Sequence, residues 1–408
     1  MKKIILILFG FGLFFSWQGV VAQELPEYYL NLSQTTTTKG YTASTPEAKI
    51  KIGVVPYAFS QETQLKIVNL GREAYPAPEG YKIVSDIYLY DFSNTPQKLL
   101  TISMNYDSFS GSLRELYFWD KGKQQWRSLP TNELGNQTAA GLSPFKSARI
   151  AILEKKINNE AELLDVITAK SAIVMDAKTG EVVFEKASQV KRPIASLTKI
   201  MTALVFLDHN PGWDSEIEFL EKDDTIPSKI YIVPGDTLKI TDLFYSMLVK
   251  SANNAAATLA RATNLYPESY FIWLMNLKAQ ELGLANTIFA DPTGLDEKNV
   301  STAYDYALLS KYALKIADIP RATTTQYYSF KTIKNDQTVD LVNTSKLFNS
   351  DLEITLTKTG FTYEAGNCLM TAAKDFKTGQ EYIAVVLNSQ NGHLSSDVYT
   401  LLDYYLKN

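Results

Sequence analysis

The sequence of 408 residues predicts two folded parts in series. The first is an all-β, sandwich-like domain over residues 49–155. The second is an α+β domain over residues 169–408, an antiparallel sheet flanked by helices with a helical subdomain. Three observations predict this. The chain is long for one domain and comfortable for two. Residues 49–154 are broken into short alternating runs. Beyond 169, helical stretches are enclosed by strands at both ends.

The N-terminus is expected to stand apart from both. Lys2 and Lys3 precede the apolar run IILILFGFGLFFSW, and Val20-Val21-Ala22 supplies a small-residue cleavage pattern. Residues 1–22 therefore read as a secretory signal peptide, with an uncleaved anchor as the alternative. Residues 23–48 include the Thr-rich SQTTTTKGYTASTPEA, which has no hydrophobic period and reads as a flexible linker.

The runs KIKIGVV, QLKIVNL, KIVSDIYLYDF, LLTISMNY, LRELYFW, QQWRSLP and ARIAILE follow, separated by turn residues. Asp120-Lys121-Gly122-Lys123 marks a hairpin between LYFW and QQW. Tyr88, Tyr90, Phe118, Trp119 and Trp126 read as core and cross-strand pairs, with a ligand-binding face as the alternative. Residues 156–168 are polar and then weakly helical, and read as a connector.

SAIVMDAKTGEVVFEK then gives two strands about a turn at 178–180. Helical stretches are expected at 194–207, 241–250, 254–262, 268–283 and 301–316. Strands return in EITLTKTG, NCLMTAAKD and EYIAVVLNS, and SSDVYTLLDYYLKN closes the chain as a helix.

Composition excludes several chemistries. Net charge is −4 with both signs interspersed, so there is no basic footprint for nucleic acid. His209 and His393 are the only histidines, and no metal-ligand spacing surrounds them. Neither lies in a segment suited to a Ser-His-Asp triad. Cys368 is the only cysteine, which precludes an intramolecular disulfide, and its strand context reads as a small buried hydrophobe. No metal and no cofactor are expected.

What remains is a lysine where a core helix should be apolar. In IASLTKIMTALVFL, Ser196 and Lys199 are three residues apart and share one helix face. S-x-x-K alone is weak, since it also occurs at Ser143 and Ser188. S-x-N occurs at Ser103, Ser251 and Ser389, and Lys-Thr-Gly begins at Lys178, Lys358 and Lys377. Context separates them. Lys178 and Lys377 open polar turns, whereas Lys358 is expected at a strand's exit. Only Ser196 starts a long apolar helix, behind Pro193. Ser251 joins two helices, with Asn253 leading into the second.

The set Ser196/Lys199, Ser251/Asn253, Lys358/Thr359/Gly360, in that order, resembles the three signatures of the penicillin-binding D-alanyl-D-alanine carboxypeptidases within the serine D,D-peptidase and β-lactamase superfamily. ELGLANTIFADPTGLD and SAIVMDAKTGEVV are similar to the low-molecular-mass members. The resemblance covers about residues 165–408. It implies that Ser196 is the nucleophile, Lys199 its base and Ser251 a proton relay. It implies that Asn253 holds the substrate's peptide carbonyl and that Lys358 and Thr359 bind the terminal carboxylate. Gly360 would let the substrate backbone lie close, and backbone N–H groups of Ser196 and Phe361 would form the oxyanion hole. Burial and the Lys358 cation are expected to depress the Lys199 pKa, as a base requires.

The implied partners are peptidoglycan stem peptides, with β-lactams as covalent inhibitors. The implied location is outside the cytoplasm: periplasmic, cell-wall associated or extracellular. The implied reaction removes the terminal D-alanine from stem pentapeptides. A D,D-endopeptidase acting on cross-links uses the same machinery. A β-lactamase would need a separate Glu, and Glu281 reads as a solvated face instead. A non-catalytic wall-binding protein would have no need of the intact set. Three departures from the family pattern stand out: Ala252 between Ser251 and Asn253, Ser345 closing Asn343-Thr344-Ser345, and Thr357 before Lys358. The C-terminal β-domain and anchor of many relatives are not expected, which leaves the N-terminal segment as the only membrane tether.

Overall fold

The computed structural model describes residues 25–407, apart from 109–111, 113, 136, 226 and 266. The expected signal peptide lies outside the described residues. Among them, no helix is long and apolar enough to cross a membrane. The chain divides into two compact units, with the main change between Lys156 and Ile157 and the short segment 108–112 grouped with the second.

In the first unit two antiparallel sheets face one another across one core. One includes Glu27–Leu32, Thr63–Asn69, Tyr88–Phe92, Ser147–Lys155 and Arg114–Asp120; the other includes Tyr41–Ser44, Ile50–Val54, Leu100–Asn105 and Thr138–Ser143. Their inward residues alternate along each strand, as a half-buried sheet requires. Leu65, Ile67, Tyr90 and Ile150 from one sheet meet Ile50, Ile52, Ile102 and Met104 from the other. The hairpin at Asp120 forms, with Asp120 Oδ1 accepting from the Gly122 and Lys123 amides at 3.0 and 3.2 Å.

One expectation needs correction here. Residues 27–44 are not a linker, because they form two strands and the helix Gln34–Lys39 between them. Ser33 caps that helix by accepting from the Thr36 amide, and Thr37 is fully buried. The aromatics are placed as core residues and a cross-strand pair, as expected. Tyr88 and Tyr90 lie in the core, while Trp119 and Trp126 cluster with Tyr75 in a separate group.

The second unit is built on a five-stranded antiparallel sheet. Its strands are β1 (Ser171–Asp176), β2 (Val182–Lys186), β3 (Ile354–Thr362), β4 (Gly366–Lys374) and β5 (Glu381–Ser389), in the spatial order β2-β1-β5-β4-β3. Two N-terminal strands and three C-terminal strands thus share one sheet. The inner strands read as continuous apolar runs because both faces are covered. Ala172, Val174, Ala384 and Val386 pack against Val398, Leu401 and Leu402 of the closing helix Leu394–Lys407. Ile173, Met175, Ile383 and Val385 face the other way, into the core formed with the intervening helices.

Those helices include α1 (Lys199–Asp208), α2 (Ile240–Val249), α3 (Asn253–Ala262), α4 (Glu268–Glu281) and α5 (Ala303–Ala313). All five expected helical stretches are occupied. The connector contributes the helix Glu160–Val166, whose Leu163 is buried against the sheet's outer face.

Candidate active site

Three chain segments meet at the candidate site: the turn entering α1, the junction of α2 and α3, and the edge strand β3. Ser196 lies in a 3-10 turn, Ala195–Thr198, that runs directly into α1. Ala195 has φ 48°, a left-handed conformation unusual for a residue with a side chain. The turn is held from several sides. The hydroxyl of Tyr306, buried on α5, donates to the Leu197 carbonyl at 2.6 Å. The Ile194 amide donates to the Asn299 carbonyl at 3.0 Å.

Lys199 is completely buried. Its Nζ lies 2.8 Å from Ser196 Oγ, 2.6 Å from Asn253 Oδ1 and 2.5 Å from the Thr293 carbonyl oxygen. Burial pushes its pKa well below the usual lysine value, the cation of Lys358 pushes it further, and Asp291 opposes both. Hydrogen-bond accounting agrees with a neutral amine. A neutral amine has two N–H groups and one lone pair, and an amide oxygen and a peptide carbonyl can only accept. A protonated amine would donate to all three oxygens, whereas the neutral amine gives its two N–H groups to Asn253 and Thr293 and leaves its lone pair for the hydroxyl of Ser196. That is the arrangement in which serine donates its proton to lysine.

Ser251 joins α2 to α3 with φ 62°. Lys358 Nζ donates to Ser251 Oγ at 2.8 Å and to the Thr359 carbonyl at 2.9 Å. Burial alone lowers the Lys358 pKa to about 7. Asn253 is engaged at both ends of its amide: Oδ1 accepts from Lys199, and Nδ2 donates to the Pro227 carbonyl. Asn254, fully buried, accepts from the Ile230 amide and donates to the Ile230 carbonyl, pinning that loop beside the site.

Lys358 does not stand at a strand's exit, as the sequence suggested. β3 continues through Lys-Thr-Gly to Thr362, paired residue by residue with β4. Gly360 has a further reason to be glycine. A Cβ there would stand 2.9 Å from the Ile194 carbonyl oxygen and 3.2 Å from the Ser196 and Leu197 amides. Its bare backbone lets β3 press against the serine turn itself. Thr359 Oγ1 pairs with Thr344 Oγ1 at 2.6 Å, and the Phe361 side chain is exposed.

The departures from the family pattern have local explanations. Ala252 is fully buried in the core, away from the polar groups. The other two departures meet each other: Thr357 Oγ1 donates to Ser345 Oγ at 3.3 Å and also pairs with Thr371 Oγ1 at 2.9 Å. Lys178 and Lys377 occupy turns at strand ends. The Ser143 hydroxyl pairs with Tyr90, and that of Ser188 donates to Glu185. Glu281 ends α4, largely exposed, opposite Lys278. Among the described residues no cluster of metal-ligating side chains occurs.

Sequence reasoning missed the turn 291–299 and Tyr306. Thr293 acts through a backbone carbonyl and Tyr306 through the carbonyl of a neighbour, which no side-chain pattern announces. Asp-Pro-Thr-Gly was the available signal, as a tight-turn motif beside the first two signatures.

A serine hydroxyl against a buried lysine, beside a Lys-Thr-Gly edge strand on this sheet, is the arrangement of the active-site-serine D,D-peptidases. The chain belongs to the D-alanyl-D-alanine carboxypeptidase family, whose model matches residues 156–391. It is 34% identical over 245 residues to the D-alanyl-D-alanine carboxypeptidase DacF of Bacillus subtilis, covering 58% of this chain and 61% of that protein. It is 35% identical over 209 residues to the D-alanyl-D-alanine endopeptidase of Escherichia coli, covering 50% of this chain and 66% of that one. The chain thus spans under two thirds of the length of these relatives. Among solved structures, the Streptomyces K15 DD-transpeptidase superposes with a TM-score of 0.55 at 28% identity, over 59% of this chain and 98% of that one. A D-alanyl-D-alanine carboxypeptidase from Mycobacterium tuberculosis superposes with a TM-score of 0.54 at 26% identity, over 59% and 92%.

Proposed function

We propose that the protein is a serine D,D-carboxypeptidase that removes the terminal D-alanine from peptidoglycan stem pentapeptides, acting outside the cytoplasm. The observation that carries this reading is the buried Lys199 amine, whose Nζ lies 2.8 Å from Ser196 Oγ and within hydrogen-bond reach of the Asn253 and Thr293 oxygens. In the proposed reaction Ser196 Oγ attacks the carbonyl carbon of the penultimate residue as Lys199 takes its proton. The oxyanion forms against the backbone N–H groups of Ser196 and Phe361, donors of a kind worth about 2.7–4 kcal/mol each. Collapse breaks the peptide bond, and the departing amine takes a proton delivered through Ser251. Water then attacks the Ser196 ester, releasing the shortened stem peptide and restoring the hydroxyl.

Lys358, in its protonated form, and Thr359 bind the substrate's terminal carboxylate. Asn253 holds the substrate carbonyl only if its contact with Pro227 is given up, so its resting role is to orient Lys199. Penicillin carries a carboxylate and a strained amide and acylates Ser196 by the same route.

The similarity to a protein named as an endopeptidase favours a second reading, in which the scissile bond is a cross-link between stem peptides. Mass spectrometry of muropeptides decides between the two. Incubation with pentapeptide and cross-linked muropeptides is expected to release one alanine from the pentapeptide, with no release by Ser196→Ala. Conversion of cross-linked dimers to monomers, with pentapeptide untouched, makes it an endopeptidase. No change in either substrate overturns both.

A further inference from the structure

The carboxylate of Asp291 has no part in the three signatures, yet it organises the turn that touches Lys199. Asp291 Oδ1 accepts from the Thr293 amide at 2.5 Å, the Thr293 hydroxyl at 2.6 Å and the Gly294 amide at 2.7 Å. Its Oδ2 accepts from the Asp296 amide at 2.6 Å and from Asn299 Nδ2 at 2.8 Å. Five donors on one side chain leave the 291–299 turn little freedom.

The turn is fastened to the catalytic segment at three points. The Thr293 carbonyl accepts from Lys199 Nζ, and the Asn299 carbonyl accepts from the Ile194 amide, two residues before the serine. Gly294, at φ +86°, lies so close that a Cβ would fall 2.0 Å from the Ala195 carbonyl oxygen. The Thr293 carbonyl is one of the two acceptors that consume the amine's N–H groups. If it moved away, the amine could rotate and turn an N–H, rather than its lone pair, toward Ser196.

We propose that Asp291 is a positioning residue for acylation: its carboxylate shapes the turn that presents the Thr293 carbonyl to Lys199 and so aims the amine at Ser196. The proposal rests on the reading of Ser196 and Lys199 given above. A second consequence concerns charge. Burial works against ionisation of Asp291, but the hydrogen bonds from Thr293, Asp296 and Gly294 outweigh it and hold the carboxyl below its usual range. The charged form of the carboxyl is thereby favoured. The charged groups acting on Lys199 are Lys358 from β3, which lowers its proton affinity, and Asp291 from this turn, which raises it. Asp291 keeps the base from becoming too weak.

The test measures the rate of acylation by a fluorescent penicillin against pH, for the full chain and for Asp291→Asn, with Ser196→Ala as control. The substitution removes the charge and turns an amide toward donors. The plateau rate is expected to fall on the order of 10- to 100-fold, the scale of a misplaced catalytic group. The acid limb of the profile is expected to move to lower pH, because Lys199 loses the charge that favours its protonated form. A merely structural role lowers the rate but leaves the limb where it is, and that result overturns the proposal. A folded Asp291→Asn with an unchanged profile does the same.

If Asp291→Asn fails to fold, Thr293→Val carries the test. It removes one donor to the carboxylate and keeps the charge, so the plateau should fall several-fold without a shift of the limb. An unchanged plateau overturns the proposal. Failure of the wild-type protein to be acylated overturns the reading of the site itself, and this proposal with it. The two failures are therefore distinguishable.

Discussion

At the scale of single residues, the site is governed by what burial does to two lysines. Lys199 and Lys358 are both withdrawn from water, and both have depressed pKa values. The tasks proposed for the two are opposite: a base must be neutral, while a carboxylate-binding group must be charged. The value of about 7 for Lys358 makes a stability prediction with a definite sign. Between pH 7 and 10.5 the unfolded chain holds a proton on Lys358 that the folded chain has released. Stability therefore rises with pH across that window, by up to about 1.4 kcal/mol per pH unit. In Lys358→Met this contribution is absent. Thermal unfolding at a series of pH values should show the wild type gaining on the variant from pH 7 towards 10, and a constant difference would refute the assignment. Replacing Lys199 is a different matter, because it strands the Asn253 and Thr293 oxygens. Unsatisfied buried acceptors cost about 1–3 kcal/mol each, which offsets the relief of removing a buried amine.

Among secondary-structure elements, the decisive contact is between β3 and the serine turn. Gly360 is the point of closest approach, and the atoms a Cβ would meet are backbone, which cannot swing aside. Gly360→Ala should therefore push strand and turn apart. Acylation by penicillin is expected to fall on the order of 100-fold, with a stability loss of about 1–3 kcal/mol from overpacking. Stopped-flow acylation and thermal unfolding check both numbers; near-wild-type acylation would mean that the approach is not needed for the chemistry. This contact shows where the sequence was legible and where it was not. Ser196 and Lys199 could be paired from spacing, because three residues is about one helical turn. Gly360 was legible by its motif, but its packing against the serine turn was not, since a glycine has no side chain to say what lies opposite. Lys358 was misplaced along its strand because polar Lys-Thr in a buried edge strand looks like an ending. The strands and helix within residues 23–48 are not legible, because four threonines in a row hide both the Ser33 cap and the buried Thr37.

For the molecule as a whole, two units each hold their own core. The alternation of residues 49–154 and the enclosure of helices by strands after 169 were enough to find both, because each pattern reports burial directly. The turn 291–299 was invisible to such patterns, since its work is done by backbone atoms and by one carboxylate facing its own loop. Serines are spread over both units, and several of their hydroxyls are buried or hydrogen-bonded. Ser143 and Ser188 even share the S-x-x-K spacing, yet their hydroxyls pair with Tyr90 and Glu185. In the proposed reading, burial of one lysine makes one serine of the whole chain a nucleophile. The most direct measurement is intact-protein mass spectrometry after incubation with penicillin, followed by peptide mapping of the adduct. One penicilloyl group per chain, located on Ser196 and absent from Ser196→Ala, is the predicted result. An adduct on any other residue, or one that persists in Ser196→Ala, would contradict the account.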